Sequence, residues 1–225
     1  MPSYHVVAEG EHERQNPTSA AKIRLLGDRM RLGPESSVLD LASGRGGPAM
    51  ILAETFGCRI TCVEKTQEFD AAARTRAREA DLDSFIEFVH ADAHDLLAEP
   101  GAYDAALWLG ASFIWERLPG TLATLDTAVR GGGFIAVGEP YWRSWPLLEG
   151  AEADEGEDFL PLPDTTERLR TAGLELVTLI DSSRTTGTDT SRSTGSPLSS
   201  GCPSTPMTPM RGTSGFSTSA SAIGT

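Results

Sequence analysis

The sequence predicts an α/β domain built on a doubly wound, mostly parallel sheet. Three observations carry that reading. Short apolar runs alternate with amphipathic helical stretches from Thr18 to Asp181, the pattern of repeated βαβ units. The first run, Val38-Leu39-Asp40-Leu41, leads through a glycine turn into a helix. The second and third runs also finish at an acid, Glu64 and Asp92.

The elements follow in order. Thr18 or Ser19 caps a helix to about Leu32, with Ile23, Leu26 and Met30 as its apolar stripe, and Gly33-Pro34 stops it. Val38 to Leu41 is the first strand, and Gly46 to Phe56 is a helix that tolerates Pro48 in its first turn. Arg59 to Glu64 is the second strand, Phe69 to Ala80 a helix, and Phe85 to His90 the third strand. Tyr103 to Leu109 and Phe134 to Glu139 are the fourth and fifth strands, with a helix near Thr121 to Val129 between them, stopped by Gly131-Gly132-Gly133. A helix from Thr165 to Ala172 and a strand from Leu174 to Ile180 close the series.

Length and charge narrow the function classes. The 225 residues suit one α/β domain with a tail. A net charge of −13 repels phosphates, so nucleic acid is not expected as a partner. There is no apolar run of membrane-spanning length and no signal peptide in Met1 to Gly10, so a cytoplasmic setting and no membrane partner are expected. Cys58 and Cys62 share one strand face and read as core; the three cysteines give neither a disulfide framework nor a zinc set, and no metal is expected.

The segment Asp40-Leu41-Ala42-Ser43-Gly44-Arg45-Gly46-Gly47 is the informative one. Small residues let a ligand lie against the backbone where a strand turns into a helix. Gly44-x-Gly46-x-x-Ala49 also fits a dinucleotide fingerprint, a weak signal. Asp40 separates the two. A carboxylate would repel a pyrophosphate but favours the ammonium and sulfonium of S-adenosylmethionine. Glu64 can accept both hydroxyls of a ribose, and Asp92 can accept from an adenine amino group. Three acids at successive strand ends line the edge where such sheets bind ligands.

These motifs resemble those of class I S-adenosylmethionine-dependent methyltransferases. The matching segments are Val38 to Gly47, Cys62-Val63-Glu64, Ala91-Asp92-Ala93, Tyr103-Asp104 and Gly131-Gly132-Gly133. Asn16-Pro17, Leu109-Gly110-Ala111 and Gly138 to Arg143 look like a bacterial group acting on small molecules. The resemblance covers Gly10 to Asp181. It implies S-adenosylmethionine as methyl donor, a seven-stranded sheet, donor contacts at Asp40, Gly44, Gly46, Glu64 and Asp92, and backbone contacts near Ala93 and Leu109. Two positions depart from the family pattern. Ala42 stands where the first glycine is usual, and Lys65 stands where an apolar residue often meets adenine, although its methylenes can serve.

Methyl transfer is an in-line displacement at an activated carbon, so alignment and a dry pocket matter most. His12, Glu139, Tyr141 and Trp142 are the candidate acceptor-site residues; no catalytic base is assigned. His94 is a further loop histidine, and Trp108, Trp115, Trp142 and Trp145 serve either an aromatic pocket or packing.

Composition divides the chain at residue 181. From Ser182 to Thr225, 32 of 44 residues are Ser, Thr, Gly or Pro. Disorder is expected there, and the sheet is expected to lack its last strand. Read in a shifted frame, Thr185 to Ser191 is compatible with Asp-Asp-Trp-Asp-Arg-Tyr-Glu, which looks like the sequence following this strand in the resembling group. A frameshift near Arg184 is the expectation drawn from that. Domain 1–181 is thus expected to bind the donor. The rival readings are a nicotinamide-dependent oxidoreductase and a non-catalytic or damaged cofactor-binding module.

Overall fold

The computed structural model describes residues 18–96, 98–109, 118–142, 159–181 and 216–224, without the side chains of Trp142 and of 216–224. Five helices and seven strands lie within them: α1 (Ala20–Arg29), β1 (Ser37–Leu41), α2 (Gly47–Phe56), β2 (Arg59–Glu64), α3 (Gln67–Glu79), β3 (Ile86–His90), β4 (Tyr103–Leu109), α4 (Leu118–Ala128), β5 (Val129–Trp142), α5 (Leu162–Thr171), β6 (Glu175–Asp181) and β7 (Phe216–Gly224). The strand order is β3-β2-β1-β4-β5-β7-β6. Pairings among β1 to β5 are parallel, and β7 runs antiparallel to both its neighbours.

Alternation along the strands builds two cores. Val38, Ile60, Cys62, Ala105, Leu107 and Ala136 pack against Ile23 and Leu26 of α1, Met30 at its C-cap, and Ala49, Leu52 and Ala53 of α2. The intervening residues Leu39, Val63, Ala106, Trp108, Ile135 and Val137 pack on the other face against Leu122 and Leu125 of α4 and Leu169 of α5. A period of two on strands buried from both sides produces this division. Cys58 and Cys62 are free and buried in the first core, as their spacing predicts. Trp108 is fully buried in the second, which settles its role as packing; Trp115 and Trp145 lie outside the described residues.

The helix starts agree with the sequence signals. Ser19 caps α1 through its hydroxyl, which accepts from the Lys22 amide at 3.4 Å. Pro48 sits in the first turn of α2, where its missing N–H has no intrahelical partner to lose. Asp104 anchors the opposite edge of the sheet. Its carboxylate accepts from the Ser37 amide at 2.8 Å and pairs with Arg130, and these contacts hold it below the usual carboxylate range.

One expectation needs correction. The sheet was expected to lack its last strand, and Phe216–Gly224 supplies it as β7. β7 pairs with β5 from Phe134↔Gly224 to Trp142↔Phe216, and with β6 from Glu175↔Gly224 to Asp181↔Ser219. The reason lies in the backbone. β5 and β6 each present a row of N–H and C=O groups, and any extended segment able to reach them can satisfy them. The run Phe-Ser-Thr-Ser-Ala-Ser-Ala-Ile-Gly holds no proline and no charge to prevent it. Weak side-chain alternation hides such a strand from pattern reading. Residues 182–215, where the frame-shift argument applies, lie outside the described residues.

The fifth strand also begins earlier than expected. Val129 already pairs with Tyr103, and the register shifts before Ala105 meets Phe134. Gly131-Gly132-Gly133 absorb that shift, with Gly132 at φ +79°. A Cβ on Gly133 would lie 2.6 Å from the Asp104 carbonyl oxygen and 2.9 Å from that of Arg130, whereas one on Gly131 meets nothing within 4 Å. Backbone oxygens cannot step aside as a side chain can. Gly133→Ala is therefore expected to destabilise the chain by about 1–3 kcal/mol and Gly131→Ala by under about 0.5 kcal/mol in urea unfolding. Equal effects would show that the close approach at Gly133 is not a constraint.

Candidate functional site

The strand order reverses between β1 and β4, and the crevice beyond their carboxyl ends is where open α/β sheets bind ligands. Asp40 closes one side of it, in register with Leu107 on β4 and Cys62 on β2. After Leu41 the chain must turn sharply to start α2. Ala42, Gly44 and Gly46 all take left-handed conformations, at φ 54°, 56° and 70°. Two of the three are glycines. Ala42 adopts the same conformation with a Cβ, at a cost of roughly 1 kcal/mol. The left-handed turn therefore forms with a Cβ at its first position.

Glu64 fastens this turn. One carboxylate oxygen accepts from the Gly44 amide at 2.9 Å and the other from the Thr66 amide at 2.7 Å. Sequence reading gave Glu64 a ligand role alone and missed this second one. Each oxygen still has a lone pair directed elsewhere, so a ribose diol remains compatible. From outside, Arg76 of α3 donates to the Arg45 carbonyl at 3.0 Å and ties the loop to a second helix.

The third acid is more open. Asp92 caps a 3-10 turn, Ala93–Asp95, by accepting from the His94 amide at 3.0 Å. Its other oxygen lies 3.6 Å from the Lys65 ammonium. Lys65 thus lies along the rim between the second and third acids, its stem available to an apolar ring. Ala93 is buried, and Leu109 ends β4 partly buried. The structure accordingly gathers Asp40, Ala42, Gly44, Gly46, Glu64, Lys65, Asp92, Ala93 and Leu109 along one edge of the sheet.

The acceptor-site candidates are placed less completely. Glu139, 9% exposed, and Tyr141 are buried near the end of β5, and Trp142 is the last residue of that strand. The Tyr141 hydroxyl donates to an Asp181 carboxylate oxygen at 3.1 Å, across the intervening β7. Lys22 of α1 donates to the Asp181 carbonyl. Neither Lys22 nor Asp181 was a sequence candidate; an acid at the end of a sixth strand was the available signal. His12 lies outside the described residues. A groove between α4 and α5, lined by Leu122, Asp126, Glu167 and Arg168, lies away from all these groups. Its lining residues, which include Asp164 as well, contain none of the strand-end acids Asp40, Glu64 and Asp92.

Asp40 decides what the edge can hold. It is 2% exposed, and its Oδ2 has no hydrogen-bond partner. Burial, with the nearby Glu64 carboxylate adding to it, pushes its carboxyl up from 3.8 to about 7. A buried carboxyl without a counter-charge suits a cationic ligand group and opposes a pyrophosphate. The left-handed cradle and the orphaned oxygen thus fit S-adenosylmethionine, whose sulfonium supplies the methyl group in an activated form.

Comparison with known proteins agrees. Residues 38–133 match the methyltransferase domain family. A methyltransferase of Geobacter sulfurreducens solved with S-adenosyl-L-homocysteine is 30% identical and superimposes with a TM-score of 0.77, over 85% of this chain and 78% of that one. The chain belongs to the class I S-adenosylmethionine-dependent methyltransferases. It is also 30% identical over 184 residues to YjhP of Escherichia coli, an uncharacterised protein, covering 80% of this chain and 74% of YjhP. A sarcosine/dimethylglycine N-methyltransferase of Halorhodospira halochloris is 33% identical over 114 residues, which cover 49% of this chain and 39% of that enzyme.

Burial of Asp40 has a thermodynamic consequence in this methyltransferase without donor. Between about pH 4 and 7 the folded state holds a proton on Asp40 that the unfolded state has lost. Stability from this group therefore falls as pH rises through that window and levels off above it. Asp40→Asn removes the ionisable group. The variant's melting temperature relative to the unaltered chain should be higher at pH 8 than at pH 5, the difference corresponding to a few kcal/mol at most. A difference independent of pH would mean that Asp40 is not held in this way.

Proposed function

We propose that this methyltransferase moves the methyl group of S-adenosylmethionine to a small-molecule acceptor, with the donor held along the carboxyl edge of β1 to β4. In this reading Asp40 faces the cationic end of the donor, and Ala42, Gly44 and Gly46 pass beneath it. Glu64 accepts from the ribose while it holds the loop. Asp92 and Ala93 meet the adenine, Lys65 flanks it, and Leu109 closes the β4 side. Glu139, Tyr141 and Trp142, with His12, border the acceptor. The donor-binding unit is residues 1–181. The observation that carries the reading is the unpaired, buried Asp40 carboxyl beside a left-handed turn at the switch point.

Small acceptors are supported by relatives of known activity, among them the sarcosine/dimethylglycine enzyme. The acidic surface supports the exclusion of nucleic acid, with a net charge of −13. Among the described residues no helix is long and apolar enough to cross a membrane; a cytoplasmic setting is part of the proposal.

Calorimetric titration with S-adenosylhomocysteine tests the donor site. Glu64→Ala should weaken binding by about 1–3 kcal/mol, through the lost acceptor pair and the loosened Gly44 turn. Glu64→Gln keeps one acceptor oxygen and should fall between the two. Unchanged affinity in both variants, or tighter binding of NAD than of S-adenosylhomocysteine, would overturn the assignment.

A further inference from the structure

We propose that donor binding releases a proton from Asp40, so that this residue makes the site select the sulfonium-bearing donor over its thioether product. The proposal rests on the donor-site reading above. It starts from a geometric fact: Asp40 is enclosed at the switch point, with Oδ2 facing no hydrogen-bond donor. Its neighbours on the adjacent strands supply no positive charge. From β2 come Cys62, a thiol that burial keeps neutral, and Glu64, a carboxylate already engaged by two amides. From β4 comes Leu107, which carries no charge. The loop contributes Ser43 and Arg45, the latter accepting from Arg76 at its carbonyl. Asp70 of α3, whose charge reaches Cys62, is paired with Arg74 at 2.8 Å. The field at Asp40 is set by burial and by Glu64, and both favour the neutral acid.

A ligand that brings positive charge reverses this balance. Donor and product both carry an α-ammonium, and the donor alone carries a sulfonium. When the donor enters, the Asp40 O–H bond breaks and its proton passes to solvent, leaving a carboxylate opposite the cationic groups. When the methyl group leaves, the sulfonium becomes a neutral thioether and half of that charge disappears. Asp40 then regains a proton more readily, which loosens the product. By linkage, donor affinity rises with pH below the midpoint of the free site, and flattens above it.

Calorimetry of the full chain tests this with S-adenosylmethionine and S-adenosylhomocysteine, between pH 5.5 and 7.5, in two buffers of different ionisation heat. At pH 6 close to one proton per donor should be released, and donor affinity should rise roughly tenfold per pH unit below about pH 7. The ratio of donor to product affinity should rise with pH over the same range. Asp40→Asn should bind without a pH slope and without buffer-dependent heat. Glu64→Gln should keep the release but move it to lower pH. If Asp40→Asn does not fold, difference infrared spectra of the unaltered chain serve instead: a neutral carboxyl band should vanish on donor addition. Intact binding with flat affinity and buffer-independent heat would overturn the proposal alone. Absence of binding by either ligand at every pH would overturn the donor-site reading with it.

Discussion

Two carboxylates meet at the ends of β1 and β2, and they are used in opposite ways. Glu64 spends both oxygens on backbone amides and so fixes the left-handed turn that begins at Ala42. Asp40 is buried beside it with an oxygen left over. Removing a carboxylate from water is costly unless something compensates, and the compensation here has to come from outside the chain. The turn and the start of the helix depend on the satisfied acid, and the proposed donor chemistry depends on the unsatisfied one.

The rest of the fold supports those few residues. The doubly wound sheet buries β1 between two apolar cores, so the end of the strand is rigid where Asp40 stands. The reversal of strand order opens a crevice next to it, and β4 closes the far side with Leu109. Arg76 and the Lys65–Asp92 pair brace the same edge from α3 and from the turn after β3. The opposite edge, with Asp104, Ser37 and Arg130, is built for stability.

Much of this was legible in the sequence because it is local. Strand alternation, the Ser19 cap, Pro48 in a first turn and three strand-end acids are all short-range signals. Glycines at 44 and 46 report backbone conformations that side chains resist, and both are left-handed. Three features were hidden. The Glu64 clamp joins residues 20 apart in sequence, and its signal was taken up by the ligand role. The start of β5 was masked by glycines that normally end elements. β7 escaped because a run of Ser, Thr and Ala has no binary pattern, while backbone pairing between two strands needs none.

Hydrogen–deuterium exchange of the chain, with and without S-adenosylhomocysteine, bears most directly on where the donor lies. Backbone amides of residues 40–47, 64–66 and 92–94 should gain protection together, since the proposed donor site spans the three strand ends. Protection confined to the α4–α5 groove around Leu122 and Arg168, with residues 40–47 unchanged, would contradict the account.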